Sequence, residues 1–272
     1  LSHMIVDGKI DWEKLRATVR YAVHFLDNVI DANKYPLKEI ENITLANRKI
    51  GLGVMGFADM LIKLGIPYDS EQALRQGDEI MRFIEEEGHR RSEELGKERG
   101  SFPNFEGSIW KDKHSALRNS TVTTVAPTGT ISIIAGCSSG IEPIFAISFI
   151  RNVLNGTRLF ETNPLFEMMA KERGFYSGSL LEKVAQTGSV QKIEGVPDDV
   201  KRLFVTALDI EPQWHVRMQA VFQKYTDNAV SKTVNLPSEA TVEDVRKIYE
   251  LAWKLKCKGV TVFRYGSKPE QV

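Results

Sequence analysis

The sequence predicts an α/β fold whose strands pair mainly in parallel. Short β-branched runs alternate along the chain with longer segments of helical periodicity, which is the order that βαβ units produce. The 272 residues have an ordinary globular composition, with 42% hydrophobic and 26% charged residues. Neither an internal repeat nor a low-complexity segment interrupts the alternation. The length suits one large domain or two small ones, and either could bury a core.

Three helices are predicted in the first hundred residues. Asp11 caps a helix that runs to about residue 31, because its apolar side chains recur at three- and four-residue steps. A short helix over 58–64 follows a glycine-rich segment. A long helix over 70–99 carries glutamate runs at 85–87 and 93–94, which we expect on a solvated face.

The remaining elements alternate more regularly. The β-branched run over 121–125 predicts a buried strand, and a helix is expected to start near Thr130. The residues over 176–199 are rich in Gly, Ser and polar side chains and predict a surface excursion. The other predicted elements are helices over 164–173, 212–229 and 241–256 and strands over 232–236 and 260–265.

Charge and cysteine content bear on the class of protein. The 36 basic and 36 acidic residues give a formal net charge of zero, so nothing favours a nucleic acid or an anionic membrane as a partner. The two cysteines are too few for a disulfide scaffold or a Cys-rich zinc site, and a cytoplasmic location is expected. The apolar stretch 131–150 contains Glu142 and Pro143, so it does not suit a lipid-facing helix.

A glycine pattern over 51–56 matches G-x-G-x-x-G. In dinucleotide-binding folds this pattern follows a buried strand and brings backbone close to a pyrophosphate. Here the preceding residues do not form such a strand. We therefore favour close backbone packing inside the fold over dinucleotide binding.

The segment Val-Ala-Pro-Thr-Gly-Thr-Ile-Ser over 125–132 joins a predicted buried strand to a helix start. Gly129 allows close approach of a ligand to the backbone, and the first amides of a helix lack internal partners. Thr128, Thr130 and Ser132 add hydroxyl donors, and no lysine of a Walker loop is present. The pattern fits a phosphate that is held and not cleaved, or else a plain capped helix.

The cysteines and histidines indicate no catalytic or metal cluster. Cys137 lies in a turn over 136–143 without a histidine nearby in sequence, which favours a structural cysteine, and Cys257 is expected to be inert. No two of the five histidines are four residues apart, and His215 is expected to pack or to face solvent. Arg151 and Arg158 are candidates for phosphate contacts or for surface ion pairs.

Five segments together resemble the C-terminal half of the catalytic barrel of ribonucleotide reductases, most closely the adenosylcobalamin-dependent (class II) branch. The segments are 47–59, 125–132, 136–143, 223–237 and 259–266. The resemblance spans nearly the whole chain. It implies that residues 1–272 form a single incomplete domain, half of a ten-stranded α/β barrel with surrounding helices.

The same resemblance implies a function and a site. The family reduces ribonucleoside di- or triphosphates to 2′-deoxyribonucleotides by thiyl radical chemistry, with adenosylcobalamin as cofactor in this branch. The Pro-Thr-Gly-Thr-Ile-Ser loop holds the substrate phosphates in that family. The residues carried over to this role are Ala126, Pro127, Thr128, Gly129, Thr130, Ile131 and Ser132.

The chain also departs from the family pattern. The radical cysteine of the family lies in Asn-x-Cys-x-Glu, and neither Cys137 nor Cys257 has these neighbours. The resemblance therefore implies that no catalytic residue lies on this chain, that the radical and redox cysteines lie on an N-terminal part, and that the chain alone is inactive. The expected partners are that N-terminal half and the nucleotide, and a homodimer is left open. The alternative is a non-catalytic nucleotide-binding or assembly module of the same fold.

Overall fold

Helices surround a small set of parallel strand segments in this protein. The computed structural model describes residues 1–153 and 157–267, with the backbone alone for 149–153 and 157–160. The helices are α1 (Trp12–Ala32), α2 (Lys38–Asn47), α3 (Phe57–Lys63), α4 (Glu71–Arg99), α5 (Gly129–Ile134), α6 (Pro164–Glu172), α7 (Gly178–Thr187), α8 (Asp198–Leu203), α9 (Pro212–Gln223) and α10 (Val242–Lys254). The strands are β1 (Ile5–Val6), β2 (Lys9–Ile10), β3 (Ser148–Val153), β4 (Thr157–Thr162), β5 (Thr233–Leu236) and β6 (Thr261–Arg264).

Parallel pairing, as the sequence predicts, connects distant parts of the chain. β5 pairs with β6 in parallel, whereas β1–β2 and β3–β4 are antiparallel hairpins. Three isolated parallel bridges join Leu52 to Thr123, Val125 to Val230 and Ile144 to Thr206. The predicted strand over 121–125 is thus an extended segment bridged on both sides.

Helix ends follow their capping residues closely. The Asp11 carboxylate accepts a hydrogen bond from Lys14 N at the start of α1, and the Ser70 hydroxyl accepts one from Ala73 N at the start of α4. Thr241 and Asp244 form a reciprocal capping box at α10. α9 ends at Gln223, before the predicted residue 229, because the chain then turns into the bridge at Val230.

Several elements differ from the prediction. α2, the β3–β4 hairpin, α7 and α8 were not predicted. The segment 176–199 is not a surface excursion: Val184 and Val190 are fully buried in the main core, and its polar residues form the outer side of α7 and the following turn. Glu87 was expected to be solvated but is 3% exposed, because Arg16 and Arg90 form ion pairs with it.

The core lies between the long helices and the extended segments. α4 is central, because small residues on it allow close approach: a Cβ at Gly88 would lie 2.9 Å from Val122, and one at Gly77 would lie 3.0 Å from the Phe222 ring. In the residues that the structure describes, no helix combines the length and the apolar character needed to cross a membrane.

Candidate substrate-phosphate site

A cavity of about 610 Å³ opens beside the start of α5. Its wall combines residues from the 136–146 segment, from α3, from the start of α6 and from β5. They are Asp59, Gly129, Ser132, Ile133, Gly136, Cys137, Ser138, Ser139, Glu142, Pro143, Ile144, Phe145, Ala146, Asn163, Pro164, Ala207, Thr233 and Asn235. A cavity of this size is in the range that encloses a nucleotide-sized ligand.

The predicted phosphate loop lies at the edge of this cavity. The chain leaves the bridge at Val125, and Thr128 adopts a left-handed conformation with φ of 57° before α5 begins at Gly129. Gly129, Thr130 and Ile131 are exposed, and their amides donate to no acceptor in the described part of the chain. These three N–H groups are therefore free to bind an anion.

The Thr128 hydroxyl is engaged within the protein. It accepts a hydrogen bond from Gly140 N at 2.7 Å and lies 3.3 Å from Ser139 Oγ, which donates to Pro127 O. Ser132 is 3% exposed, and its hydroxyl donates to Gly129 O. Of the three predicted hydroxyl donors, Thr130 lies on the exposed surface, while the hydroxyls of Thr128 and Ser132 form hydrogen bonds within the loop and its supporting turn.

The 136–143 turn that supports Thr128 is anchored from below by α3. Ser138 N donates to the Asp59 carboxylate at 2.6 Å, and Gly56 N donates to Ser138 O at 2.7 Å. Burial raises the pKa of Asp59, and the hydrogen bond from Ser138 N opposes that shift. The loop that carries the free amides is therefore hydrogen-bonded to the 136–143 turn, and that turn is hydrogen-bonded to α3.

The glycine pattern over 51–56 packs against the strand segment that leads into the loop. A Cβ at Gly53 would lie 2.2 Å from Thr124 O, and one at Gly51 would lie 2.5 Å from Thr124 Cγ2. Close backbone packing, the favoured reading of this pattern, is confirmed. The pattern does not follow a strand that ends at a dinucleotide crevice.

A buried ionic cluster behind the cavity wall was missed by sequence reasoning. Lys232 is 1% exposed, and its ammonium forms an ion pair with Glu142 and donates to His215 Nδ1 at 2.9 Å and to Thr233 O at 2.8 Å. Glu142 also accepts a hydrogen bond from Thr233 N at 2.7 Å. The one available sequence signal was a lysine at the first position of the predicted strand over 232–236.

Burial shifts both basic groups of this cluster. Desolvation lowers the pKa of Lys232, and the ion pair with Glu142 opposes that shift. Burial and the Lys232 charge hold the pKa of His215 well below its usual value, so the imidazole is neutral. His215 Nε2 donates to Ala207 O at 3.1 Å, which leaves Nδ1 as the acceptor for Lys232. His215 is thus a packed residue, one of its two predicted placements.

Burial disfavours the thiolate form of both cysteines. Cys137 lines the cavity, and burial raises the pKa of its thiol; burial also raises that of Cys257. Among residues 1–153 and 157–267, no group of three or more His, Cys, Asp or Glu side chains is placed to hold a metal. The side chains of Arg151 and Arg158 lie outside the described residues.

Comparison with known proteins identifies the family. The sequence model described as "Ribonucleotide reductase, barrel domain" matches residues 1–116 and 111–263. This chain belongs to the ribonucleotide reductase barrel-domain family. Its similarity to this family, first indicated by the five segments, is confirmed.

Curated relatives match the chain from end to end. A vitamin B12-dependent ribonucleoside-diphosphate reductase of Thermoplasma acidophilum is 56% identical over 273 residues, which cover 100% of this chain and 35% of the relative. A reductase of the same description from Mycobacterium tuberculosis is 51% identical over 272 residues, 100% of this chain and 39% of the relative. The chain thus spans between 35% and 39% of the length of these relatives.

A solved structure shows the fold. The class Id ribonucleotide reductase alpha subunit of Actinobacillus ureae superimposes with a TM-score of 0.79 and 24% identity, and covers 91% of this chain and 46% of that subunit. The chain therefore has the fold of part of a reductase alpha subunit, with mixed helices and strands. The ten-stranded half-barrel stays a prediction.

Proposed function

We propose that this chain is the substrate-phosphate-binding part of an adenosylcobalamin-dependent ribonucleoside-diphosphate reductase. The observation that carries the proposal is the exposed turn at Gly129, Thr130 and Ile131, whose three amides are free among the described residues and whose first residue lines a nucleotide-sized cavity. Neutral donors suit a phosphate group that is positioned and not transferred. The names of the vitamin B12-dependent relatives favour a diphosphate substrate and this cofactor.

In this proposal the chain positions the nucleotide for the reaction. The loop fixes the diphosphate so that the ribose lies beside a thiyl radical formed on the N-terminal part of the reductase, where the radical and redox cysteines lie. The 2′ position of the ribose is then reduced by the cysteines of the N-terminal part. The seven loop residues have different roles: the amides of residues 129–131 and the Thr130 hydroxyl bind phosphate, whereas Ala126, Pro127, Thr128 and Ser132 shape the loop.

The proposal also covers how the open edge of β6 is completed into a barrel. β6 pairs with β5 on one side, and within the described ranges no strand pairs with its other side. An open edge of this kind is normally covered by another strand. We propose that residues 1–272 are one incomplete domain of the cytoplasmic enzyme, and that the N-terminal part completes a ten-stranded barrel with it.

The cavity formed by the described residues does not fit the cobalamin cofactor. The cavity of about 610 Å³ matches a nucleotide, and adenosylcobalamin is much larger. When bound in the complete enzyme, the cofactor supplies the radical. The described residues of this chain bind and orient the nucleotide, and no step on them involves the cofactor.

The test is to replace Thr130 with alanine in the complete reductase that contains this segment. Loss of a hydroxyl donor to a charged phosphate is expected to raise KM for the nucleotide by about tenfold or more. Thr18→Ala, on the exposed side of α1, is the matched control and should leave KM unchanged. Steady-state kinetics measure both. An unchanged KM in Thr130→Ala would contradict the proposed site.

A further inference from the structure

The wall of the proposed phosphate cavity carries carboxyl groups but, among the described residues, no basic side chain. Among the described residues that line it, two carry an ionisable carboxyl group, Asp59 and Glu142, and none is a lysine or an arginine. Asp59 accepts a hydrogen bond from Ser138 N, and burial raises its pKa. Glu142 keeps 26% of its side chain exposed. Unless its charge is compensated, Glu142 would repel a diphosphate bound in the same cavity.

Lys232 supplies that compensation from behind the wall. Its side chain has no solvent exposure, and its three N–H donors are matched by Glu142, His215 Nδ1 and Thr233 O. A buried ammonium is costly unless it is paired and hydrogen-bonded. His215 and Thr233 are neutral acceptors, so Glu142 is the one anionic partner of Lys232 among the described residues.

The same ion pair is connected to the phosphate loop through the turn. Glu142 N donates to Ser139 O at 3.0 Å, and Gly140 N donates to Thr128 Oγ1 at 2.7 Å. The Tyr68 hydroxyl donates to Ile141 O at 2.6 Å and fixes the middle of the turn. Movement of Glu142 would therefore be transmitted to Thr128, the residue that precedes the free amides.

We propose that Lys232 is a positioning residue for the substrate phosphates, which neutralises Glu142 at the cavity wall and holds the 139–142 turn beneath Thr128. This inference rests on the proposed phosphate site. It assigns a role in substrate binding to a lysine and a glutamate that do not belong to the loop.

The experiment measures KM for the nucleoside diphosphate, and inhibition by inorganic pyrophosphate, in the complete reductase. Lys232→Met leaves Glu142 charged and is expected to raise both constants about tenfold, because juxtaposed like charges weaken binding. The double variant Lys232→Met, Glu142→Gln removes both charges and keeps an amide oxygen for Thr233 N. It should return both constants to within about threefold of the wild type. Lys254→Met, 64% exposed on α10, is the matched control.

The outcomes separate charge neutralisation from simple structural support. If the double variant is as defective as Lys232→Met, or if Lys232→Met leaves both constants unchanged, the inference is overturned. Should Lys232→Met not fold, Lys232→Gln retains a hydrogen-bond donor without the charge, and the same expectations apply to it. Thr130→Ala is measured alongside: unchanged KM there contradicts the phosphate site itself, whereas raised KM there with normal Lys232 variants overturns this inference alone.

Discussion

Gly53 sets the distance between two backbone segments that lead to the site. A Cβ at this position would lie 2.2 Å from Thr124 O, a contact that no side chain tolerates, and the neighbouring bridge joins Leu52 to Thr123. Any larger residue must push the 121–125 segment away. Because that segment continues into the phosphate loop, the effect reaches Thr128 as well.

Gly53→Ala is accordingly expected to destabilise the complete reductase by about 2 kcal/mol or more, the cost of overpacking a tight interior. Urea unfolding followed by circular dichroism measures the change. Gly178→Ala is the matched control, since a Cβ there has nothing within 4 Å and lies in the first turn of α7. Equal stability of the two variants would show that the segments are not held at this distance.

At the scale of elements, one carboxylate connects a helix to an extended segment. Asp227 accepts hydrogen bonds from Val122 N at 2.7 Å and from Thr123 N at 3.2 Å, and it pairs with His89 of α4 at 2.9 Å. Burial raises the pKa of Asp227, but these hydrogen bonds and the histidine outweigh burial and lower it overall. Asp227 thus fixes the 121–125 segment against α4 while it is ionised.

This arrangement predicts a pH dependence of stability. A carboxyl whose pKa is lowered by folding stabilises the native state above its unfolded pKa of about 4, and that contribution is lost as the pH falls through the folded value. Asp227→Asn should cost about 1–3 kcal/mol at pH 7 and should lose less stability than the wild type between pH 4 and pH 3. Urea unfolding at these pH values tests it, with the exposed Asp112→Asn as control. Parallel pH profiles for wild type and Asp227→Asn would contradict it.

The sequence predicted elements that have strong local determinants. α1, α4 and α10 have side-chain caps and apolar periodicity, and all three lie close to their predicted positions. The 121–125 segment was predicted as a strand because it is β-branched, yet its partners come from residues far away in the chain and could not be derived locally. α7 was missed because polar residues surround its buried positions Leu180 and Val184.

In the site, too, locally determined features were predicted from the sequence, whereas contacts between distant residues were not. The Pro-Thr-Gly-Thr segment was visible because glycine and hydroxyl side chains at a helix start have a direct physical meaning. The ion pair of Glu142 and Lys232 joins residues 90 positions apart. Likewise, Gly140 N donates a hydrogen bond to the Thr128 hydroxyl and leaves Thr130 exposed. The local sequence around the two threonines could not show this difference.

At the scale of the whole molecule, the surface near the site is apolar. Ile131, Ile133, Ile134 and Phe145 are exposed by 53%, 68%, 81% and 58%. Exposed apolar side chains this close together are typical of a surface that another polypeptide covers. In the proposed enzyme, the N-terminal part of the reductase would cover these side chains and would also pair with the outer edge of β6.

The chain expressed alone is therefore expected to self-associate, and co-expression with the remainder of the reductase should yield a defined complex. Size-exclusion chromatography with light scattering distinguishes the two states. Ile133→Glu together with Ile134→Glu should reduce self-association and weaken the complex, since both place charge in an apolar interface. A stable monomer that does not bind the remainder would contradict this assignment.

The most direct measurement is a crystal structure of the complete reductase with a ribonucleoside diphosphate bound. The account predicts phosphate oxygens at about 2.7–3.2 Å from the amides of residues 129–131, with the Glu142–Lys232 ion pair intact behind them. Phosphates bound elsewhere, with those amides facing solvent, would contradict it.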